Sequence, residues 1–258
     1  FEDENVLREE GVINPVSDKE IIDTELQLKD LDSVEKQIQK KEKQAKTDPK
    51  AKVELEVLQR CQAHLEQGKS IRALDLSKEE KSAIADLFLL TDKPVLYVAN
   101  VDEASMHTGN KYSEALQKVA AAEGAEIIIM NNSIEAQISE MDDPDDKALF
   151  MDEYKMTEPA LSRLIRSAYK LLGLNTYFTA GVQEVRAWTF HEGWKAPQCA
   201  GVIHTDFEKG FIKAEVIGYN DYITYKSEAA ARDAGKLRIE GKEYLVKDGD
   251  VMHFRFNV

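Results

Sequence analysis

Cysteine is nearly missing: the 258 residues hold two, Cys61 and Cys199, far apart and in unlike contexts. No Cys-x-x-Cys or Cys/His spacing offers a zinc site, and two isolated thiols in a chain of this size do not make a secreted disulfide scaffold. Long apolar runs are missing too. The longest, around residues 84–90, 95–101 and 127–130, fall well short of the roughly 18 residues a membrane span needs. They have the length of buried strands or helix faces. The start is acidic rather than basic and then apolar, so no signal peptide is read and a cytoplasmic location is the expectation. Residue 1 is Phe, which reads as a processed or partial chain. What is present, 43% hydrophobic and 32% charged residues, suffices for one large domain or two ordinary ones with real cores.

Positive charge is in short supply. Lys and Arg number 34 against 48 Asp and Glu, a net charge of −14. Residues 1–172 hold 23 against 36, or −13, and residues 173–258 hold 11 against 12, or −1. Bulk charge therefore excludes a general polyanion binder. No DNA and no membrane partner is expected, while a local patch leaves a ribosome or RNA contact open.

Asn14-Pro15 closes a short irregular start. Ser17, with Glu20 three residues on, then reads as the N-cap of a long charged helix to about Lys46. Leu28, Leu31, Val34 and Ile38 supply its apolar stripe. Thr47-Asp48-Pro49 breaks the pattern. A second helix, residues 50–67, carries Leu55, Leu58 and Leu65 on one face with Gln62 between them, and Gly68 stops it. The two make an antiparallel helical arm. Leu76-Ser77-Lys78-Glu79-Glu80 opens a helix bearing Ile84, Leu87 and Phe88. Residues 94–99 read as a fully buried strand ended by Asn100. Residues 111–123 are helical, with Leu116 and Val119 inward. Residues 126–130 form a second buried strand, and a helix follows from Ser133. This strand–helix–strand–helix order implies a parallel sheet, with a ligand site past the carboxyl ends of its strands. Those ends are residues 100–103 and 131–133. An acidic turn at 142–146 and a helix at 158–172 follow. Beyond Asn175, short alternating segments at 184–189, 211–217, 244–246 and 251–256, with one short helix near 229–234, read as a small α+β domain.

Asn100-Val101-Asp102-Glu103 stands where G proteins carry Asn-Lys-x-Asp, which reads the nucleotide base. The Asp of that motif accepts from guanine N1–H and the 2-amino group. Adenine offers neither donor there. In this sequence the Lys position is Val101 and the Asp position is Glu103, one methylene longer. A bidentate site tolerates that displacement poorly, so guanine selection should be lost. Asn131, Asn132 and Ser133, at the next strand end, complete the candidate base site.

Several segments together resemble the YchF family of Obg-like P-loop ATPases. They are Asp23-Thr24-Glu25-Leu26, Leu28-Lys29-Asp30-Leu31, Arg72-Ala73-Leu74-Asp75-Leu76-Ser77, Lys93-Pro94 and Ala99-Asn100-Val101-Asp102-Glu103. Thr176-Tyr177-Phe178-Thr179-Ala180-Gly181 belongs with them. So do Glu184-Val185-Arg186-Ala187-Trp188-Thr189, His204-Thr205-Asp206-Phe207-Glu208-Lys209-Gly210-Phe211, Lys247-Asp248-Gly249-Asp250-Val251 and Phe256-Asn257-Val258. The last group looks like a TGS domain, a ubiquitin-like β-grasp module. The resemblance implies an α/β protein: a G-domain remnant at 1–16, a coiled-coil arm at 17–69, the C-terminal half of a P-loop parallel sheet at 70–172 and the TGS domain at 173–258. It implies ATP preferred over GTP, Mg²⁺ as the metal of the full-length protein, and association with ribosomes or ribosomal RNA. The Gly-x-x-x-x-Gly-Lys-Ser/Thr loop and the Asp-x-x-Gly switch of that family occur nowhere in the sequence. The groups that cradle phosphates and hold Mg²⁺ are expected in a preceding segment, with no catalytic or metal-binding residue in this one.

The histidines at 64, 107, 191, 204 and 253 show no His-Glu-x-x-His or triad grouping and read as surface or structural. Lys40, Lys41 and Lys43 on the arm, and Lys195, Lys209 and Lys213 in the last domain, are candidate RNA contacts. Trp188 reads as core, whereas Trp194, beside Gly193 and Lys195, reads as exposed. A non-enzymatic ribosome- or RNA-binding module is the alternative to an ATP-hydrolysing switch.

Overall fold

The structure, a computed structural model, describes residues 1–2, 12–181 and 184–257. It divides into two compact units, Phe1–Ser167 and Ala168–Val258. The expected remnant at 1–16 falls largely on residues 3–11, outside the described residues.

In the first unit, α1 (Pro15–Gln44) and α2 (Pro49–Leu65) lie against each other. Ser17 does not cap α1. Its amide donates to the Asn14 side chain, because Asn14 followed by Pro at the first helical position is the better start: the amide oxygen takes an orphan N–H and proline presets φ. Asp48 and Pro49 repeat that device at α2. Thirty residues give α1 a length of roughly 45 Å.

The seam between the two helices departs from the expected stripe mainly at Leu28: Val34, Ile38, Leu58 and Leu65 are buried as expected, and Leu31 and Leu55 pack against them. Leu28 is 60% exposed, while Gln27, Asp30, Val34 and Ile38 are buried; on α2 the inward groups are Ala51, Val57, Leu58, Cys61 and Leu65, so Cys61 fills the place expected for Gln62. Asp30 takes an inward place because its carboxylate is needed inside. It accepts hydrogen bonds from the Leu90 amide (2.8 Å), the Thr91 amide (2.7 Å) and the Thr91 hydroxyl (2.7 Å). The Ile71 amide donates to the same hydroxyl, and Arg72 reaches the Thr91 carbonyl. The root of the arm is thus fixed by hydrogen bonds, and farther along by apolar packing, each fully buried Val or Leu contributing about 1.5–3 kcal/mol.

A 3-10 turn (Ile71–Ala73) and α3 (Lys78–Ile84) follow, α3 closed by the Ser77/Glu80 capping box. Phe88 does not continue that helix inward. It ends a 3-10 turn (Ala85–Leu87) in the left-handed region and is exposed. Strands β1 (Leu96–Asn100) and β2 (Glu126–Met130) pair in parallel, Leu96 with Glu126 through Asn100 with Met130, and α4 (Lys111–Ala122) connects them. β1 is not fully buried: Val98 is 42% exposed and Leu96, on the same face, is half-buried. Next come α5 (Asn132–Glu140) and α6 (Pro144–Glu153). The acidic turn is the start of α6, capped by Asp143. α7 (Ala160–Leu171) runs across the boundary between units.

At the base of α1, Lys19 bonds Asp23 and Glu123, and the Tyr97 hydroxyl donates to Glu123 at 2.8 Å. Burial opposes the Lys19 charge, yet the two carboxylates outweigh it and hold its pKa above the ordinary lysine value. Burial, helped by the hydrogen bond to Glu123, pushes the Tyr97 phenol up to about 12. Burial works against the Glu123 carboxylate, but the bonds from Lys19 and Tyr97 hold it below its usual pKa.

The second unit holds β3 (Leu174–Ala180), β4 (Val185–His191), α8 (Ala196–Ile203), α9 (Thr205–Lys209), β5 (Phe211–Gly218), α10 (Tyr219–Tyr225), α11 (Glu228–Asp233), β6 (Arg238–Glu240) and β7 (Asp250–Phe256). Among the described residues the expected single helix is therefore one of four, α8 to α11. Residues 244–246 form only an isolated bridge, Lys195 to Leu245. The sheet order is β4-β3-β7-β5-β6, parallel between β3 and β7 and antiparallel elsewhere. α8 turns Ala196, Cys199 and Ala200 to the sheet, small side chains that let the helix approach closely. The Tyr177 hydroxyl donates to the Cys199 carbonyl at 2.8 Å. Burial pushes the Cys199 thiol up to about 12 and the Cys61 thiol up to about 11, so both are poor nucleophiles.

Candidate functional site

The apolar run of β1 ends at Asn100, and the chain at once becomes polar and turns. Asp102 accepts from the Ser105 amide at 2.9 Å and opens a 3-10 turn (Glu103–Ser105). Gly109 (φ 74°) makes the entry to α4; a Cβ there would lie 2.5 Å from the Ser113 hydroxyl oxygen. Asn110 then caps α4.

The two strand ends lie side by side in register, and three hydrogen bonds join them. The Val101 amide donates to the Met130 carbonyl at 3.0 Å. The Asn131 Nδ2 donates to the Val101 carbonyl at 2.8 Å. The Asn132 amide donates to Asn100 Oδ1 at 3.0 Å. Asn100, Glu103, Asn132 and Ser133 are exposed, Val101 is 2% exposed and Asn131 is 9% exposed. With its Oδ1 held by Asn132, Asn100 keeps its Nδ2 as the group able to donate outward. Glu103 presents a carboxylate from the first position of the 3-10 turn. The arrangement can offer a planar ring one amide donor and one carboxylate acceptor.

Beside this edge lies a cavity of about 160 Å³ lined by Met106, His107, Asn131, Glu135, Lys155 and Arg163, among others. Glu135 is buried, and its carboxylate accepts from the Ala160 amide (2.7 Å) and the Leu161 amide (3.1 Å), capping α7 from another helix. Sequence reasoning missed this role; Pro159 just ahead of an amphipathic run was the available signal of a helix start. Arg163 donates to the Ile129 carbonyl, and His107 Nε2 lies 2.8 Å from the Tyr154 carbonyl.

The arm lysines differ among themselves. Lys40 and Lys43 are exposed, whereas Lys41 is paired with Glu54. In the second unit Lys195 pairs with Glu243, Lys209 is exposed at the end of α9, and Lys213 is half-buried on β5 opposite Arg255. Trp194 is half-buried against the core, its ring 5.1 Å from that of His191, because the turn at Gly193 (φ 81°) folds it back. His204 caps α9, accepting from the Asp206 amide at 3.2 Å. Among the described residues no group of three or more His, Cys, Asp or Glu is placed to hold a metal ion, and no helix is long and apolar enough to cross a membrane.

Residues 174–257 match the family YchF-GTPase_C, described as a protein of unknown function (DUF933). The Ribosome-binding ATPase YchF of Escherichia coli O157:H7 is 52% identical over 259 residues, covering 100% of this chain and 71% of its own length. The protein of the same name from Bacillus subtilis (strain 168) is 46% identical over 261 residues with the same coverage. Among solved structures, the Schizosaccharomyces pombe YchF GTPase matches with a TM-score of 0.85 at 35% identity, over 99% of this chain and 70% of that one. Similarity at this level along the whole chain carries one conclusion: the chain belongs to the YchF family.

Proposed function

We propose that this chain supplies the base-reading part of a nucleotide site in a ribosome-associated ATPase, and that its arm and last domain make the ribosomal contacts. The observation that carries the reading is the pair of strand ends, with Asn100 and Glu103 exposed beside Asn132 and Ser133 at the carboxyl edge of a parallel pair, where α/β sheets bind ligands. The relatives' names, ribosome-binding ATPase, agree with it. Asn100 donates to a ring nitrogen of the base. Glu103 stands one methylene away from where a carboxylate would select guanine, so ATP is accepted at least as well as GTP. Phosphates and Mg²⁺ fall to residues outside these 258, which hold no Gly-x-x-x-x-Gly-Lys-Ser/Thr loop.

Residues 173–258 are a TGS domain of the β-grasp type; a five-stranded mixed sheet with α8 laid across it supports that assignment. Of the six candidate lysines, Lys40 and Lys43 of the arm and Lys209 of this domain are exposed for RNA phosphates and form no ion pair among the described residues. Lys41 and Lys195 are candidates whose charge is shared with Glu54 and Glu243, and Lys213 is one that is half-buried opposite Arg255.

The test is competition between ATP and GTP for the full-length protein and for Glu103→Asp. Binding of ATP at least equal to GTP, shifted toward GTP by the substitution, supports the reading. Strong GTP selectivity in the unsubstituted protein would end it. ATP binding and hydrolysis absent from the full-length protein, with ribosome binding kept, would favour the non-enzymatic module instead.

A further inference from the structure

Asn131 uses both ends of its amide. Nδ2 donates to the Val101 carbonyl at 2.8 Å, and Oδ1 accepts from the Ile134 amide at 2.9 Å. The first bond crosses to the loop after β1; the second caps α5 on its own side. With the side chain 9% exposed, neither end is turned to solvent. The Val101 side chain is in the core, so the loop is held there from below as well.

We propose that Asn131 is a positioning residue of the base site: it touches no base, and it clamps residues 100–103 to the start of α5 so that Asn100 and Glu103 keep one fixed separation. This rests on the reading that those residues face the base. The physical need is plain. Two polar groups on an exposed turn discriminate between bases only if the turn cannot shift by a fraction of an ångström. The other links to the second strand end are the backbone bond from Val101 to Met130 and the bond from Asn132 to Asn100 Oδ1. The latter engages a side chain that is itself needed at the ligand. A side chain with no other duty than the bridge and the cap is what keeps the turn still when Asn100 is engaged.

One substitution separates the clamp from the cap. Asn131→Asp keeps an oxygen for the Ile134 amide, and Asp caps a helix as well as Asn. It replaces the donor facing the Val101 carbonyl with an acceptor, so the bridge turns to repulsion. Asn131→Ser keeps a cap and lacks the reach for the bridge. In the full-length protein, amide hydrogen exchange of residues 101–105 is measured without nucleotide, alongside KM and kcat for ATP and the ATP-to-GTP affinity ratio.

Expected for Asn131→Asp is faster exchange confined to that turn, by about fivefold or more, the scale of one net hydrogen bond. KM for ATP rises with kcat little changed, and discrimination between the bases falls. Asn131→Ser should show the same pattern more weakly. Unchanged exchange in the turn overturns the clamp. Exchange raised evenly through β1, β2 and α5 also overturns it, since Asn131 would then serve stability alone. Faster exchange in the turn with KM and base ratio untouched overturns its role at the base, while the placement of the base at residues 100–103 stands or falls separately with the response to Glu103→Asp.

Discussion

Asp30→Ala tests how the arm is anchored. Asp30 is 2% exposed and receives three donors, the Leu90 amide, the Thr91 amide and the Thr91 hydroxyl, all within 2.8 Å. A hydrogen bond to a charged group contributes about 1.5–3 kcal/mol, and an unmet buried donor costs about 1–3 kcal/mol. The three share two oxygens, so their contributions overlap rather than add. Water can reach the part-buried Leu90 amide more easily than Thr91. The expected loss is about 3–5 kcal/mol, at the high end for a single substitution. Asp30→Asn, keeping one acceptor and turning an NH₂ toward a donor, should lose about 2–3 kcal/mol, and Thr91→Val about 1 kcal/mol. Asp30→Ala combined with Thr91→Val should lose less than the two separately, since the hydroxyl no longer lacks its acceptor. Urea unfolding followed by circular dichroism gives the totals, and native-state exchange of the Leu90 and Thr91 amides locates them. A loss below about 1 kcal/mol for Asp30→Ala, with those two amides still protected, would refute the view that this carboxylate fixes the arm.

Alkaline titration should find Tyr97 and Tyr244 ionising late, each pushed up to about 12 chiefly by burial. A phenol whose folded pKa is raised adds stability below its unfolded value near 10 and loses it as pH rises toward 12. Tyr97→Phe should therefore flatten the fall in melting temperature over that window, and an unchanged slope counts against the assignment. Lys40→Glu with Lys43→Glu should weaken co-sedimentation with ribosomes at moderate salt while leaving the fold intact, whereas adding Lys41→Glu should also destabilise the arm by setting two carboxylates together at Glu54. Retained co-sedimentation in the folded double mutant removes the arm from the contact. Residues 173–258 should fold alone, with a cooperative melt and dispersed amide resonances, because their core of Tyr177, Phe190, Phe211, Val216, Met252 and Phe254 is drawn from that segment; a molten fragment speaks against an independent domain.

Much of the fold can be read from local pattern. The bounds of β2 follow to the residue, because a run of isoleucines between Gly124 and Asn131 has no other use. A helix opening at Leu76-Ser77-Lys78-Glu79-Glu80 is as expected, and the Ser77/Glu80 capping box that starts it is purely local. What escapes depends on distant partners. Asp30 lies inside because of Leu90 and Thr91, sixty residues on, and nothing near Asp30 announces them. Glu135 caps a helix 25 residues away. α8 escapes because Ala196-Pro-Gln-Cys-Ala-Gly-Val-Ile carries its apolar face in small side chains, which give a weak period. At the candidate site, the strand ends and exposed polar residues are legible, whereas the division of labour is not. Asn131 and Asn132 are alike in sequence, and only the bond to Val101 separates the buried one from the exposed one.

The sheet order leaves β4 at an edge: among the described residues its seven positions pair with β3 alone. β6, at the other edge, is three residues long, too short to recruit much. A long open edge is a template on which a second chain can add a strand, so solubility at high concentration turns on what β4 displays. It displays a cation. The Arg186 guanidinium lies 4.0 Å above the Trp188 ring, setting charge over the aromatic that a neighbouring strand would otherwise cover. A charge so placed, shared in part with Glu184, disfavours the edge-to-edge pairing by which open strands associate.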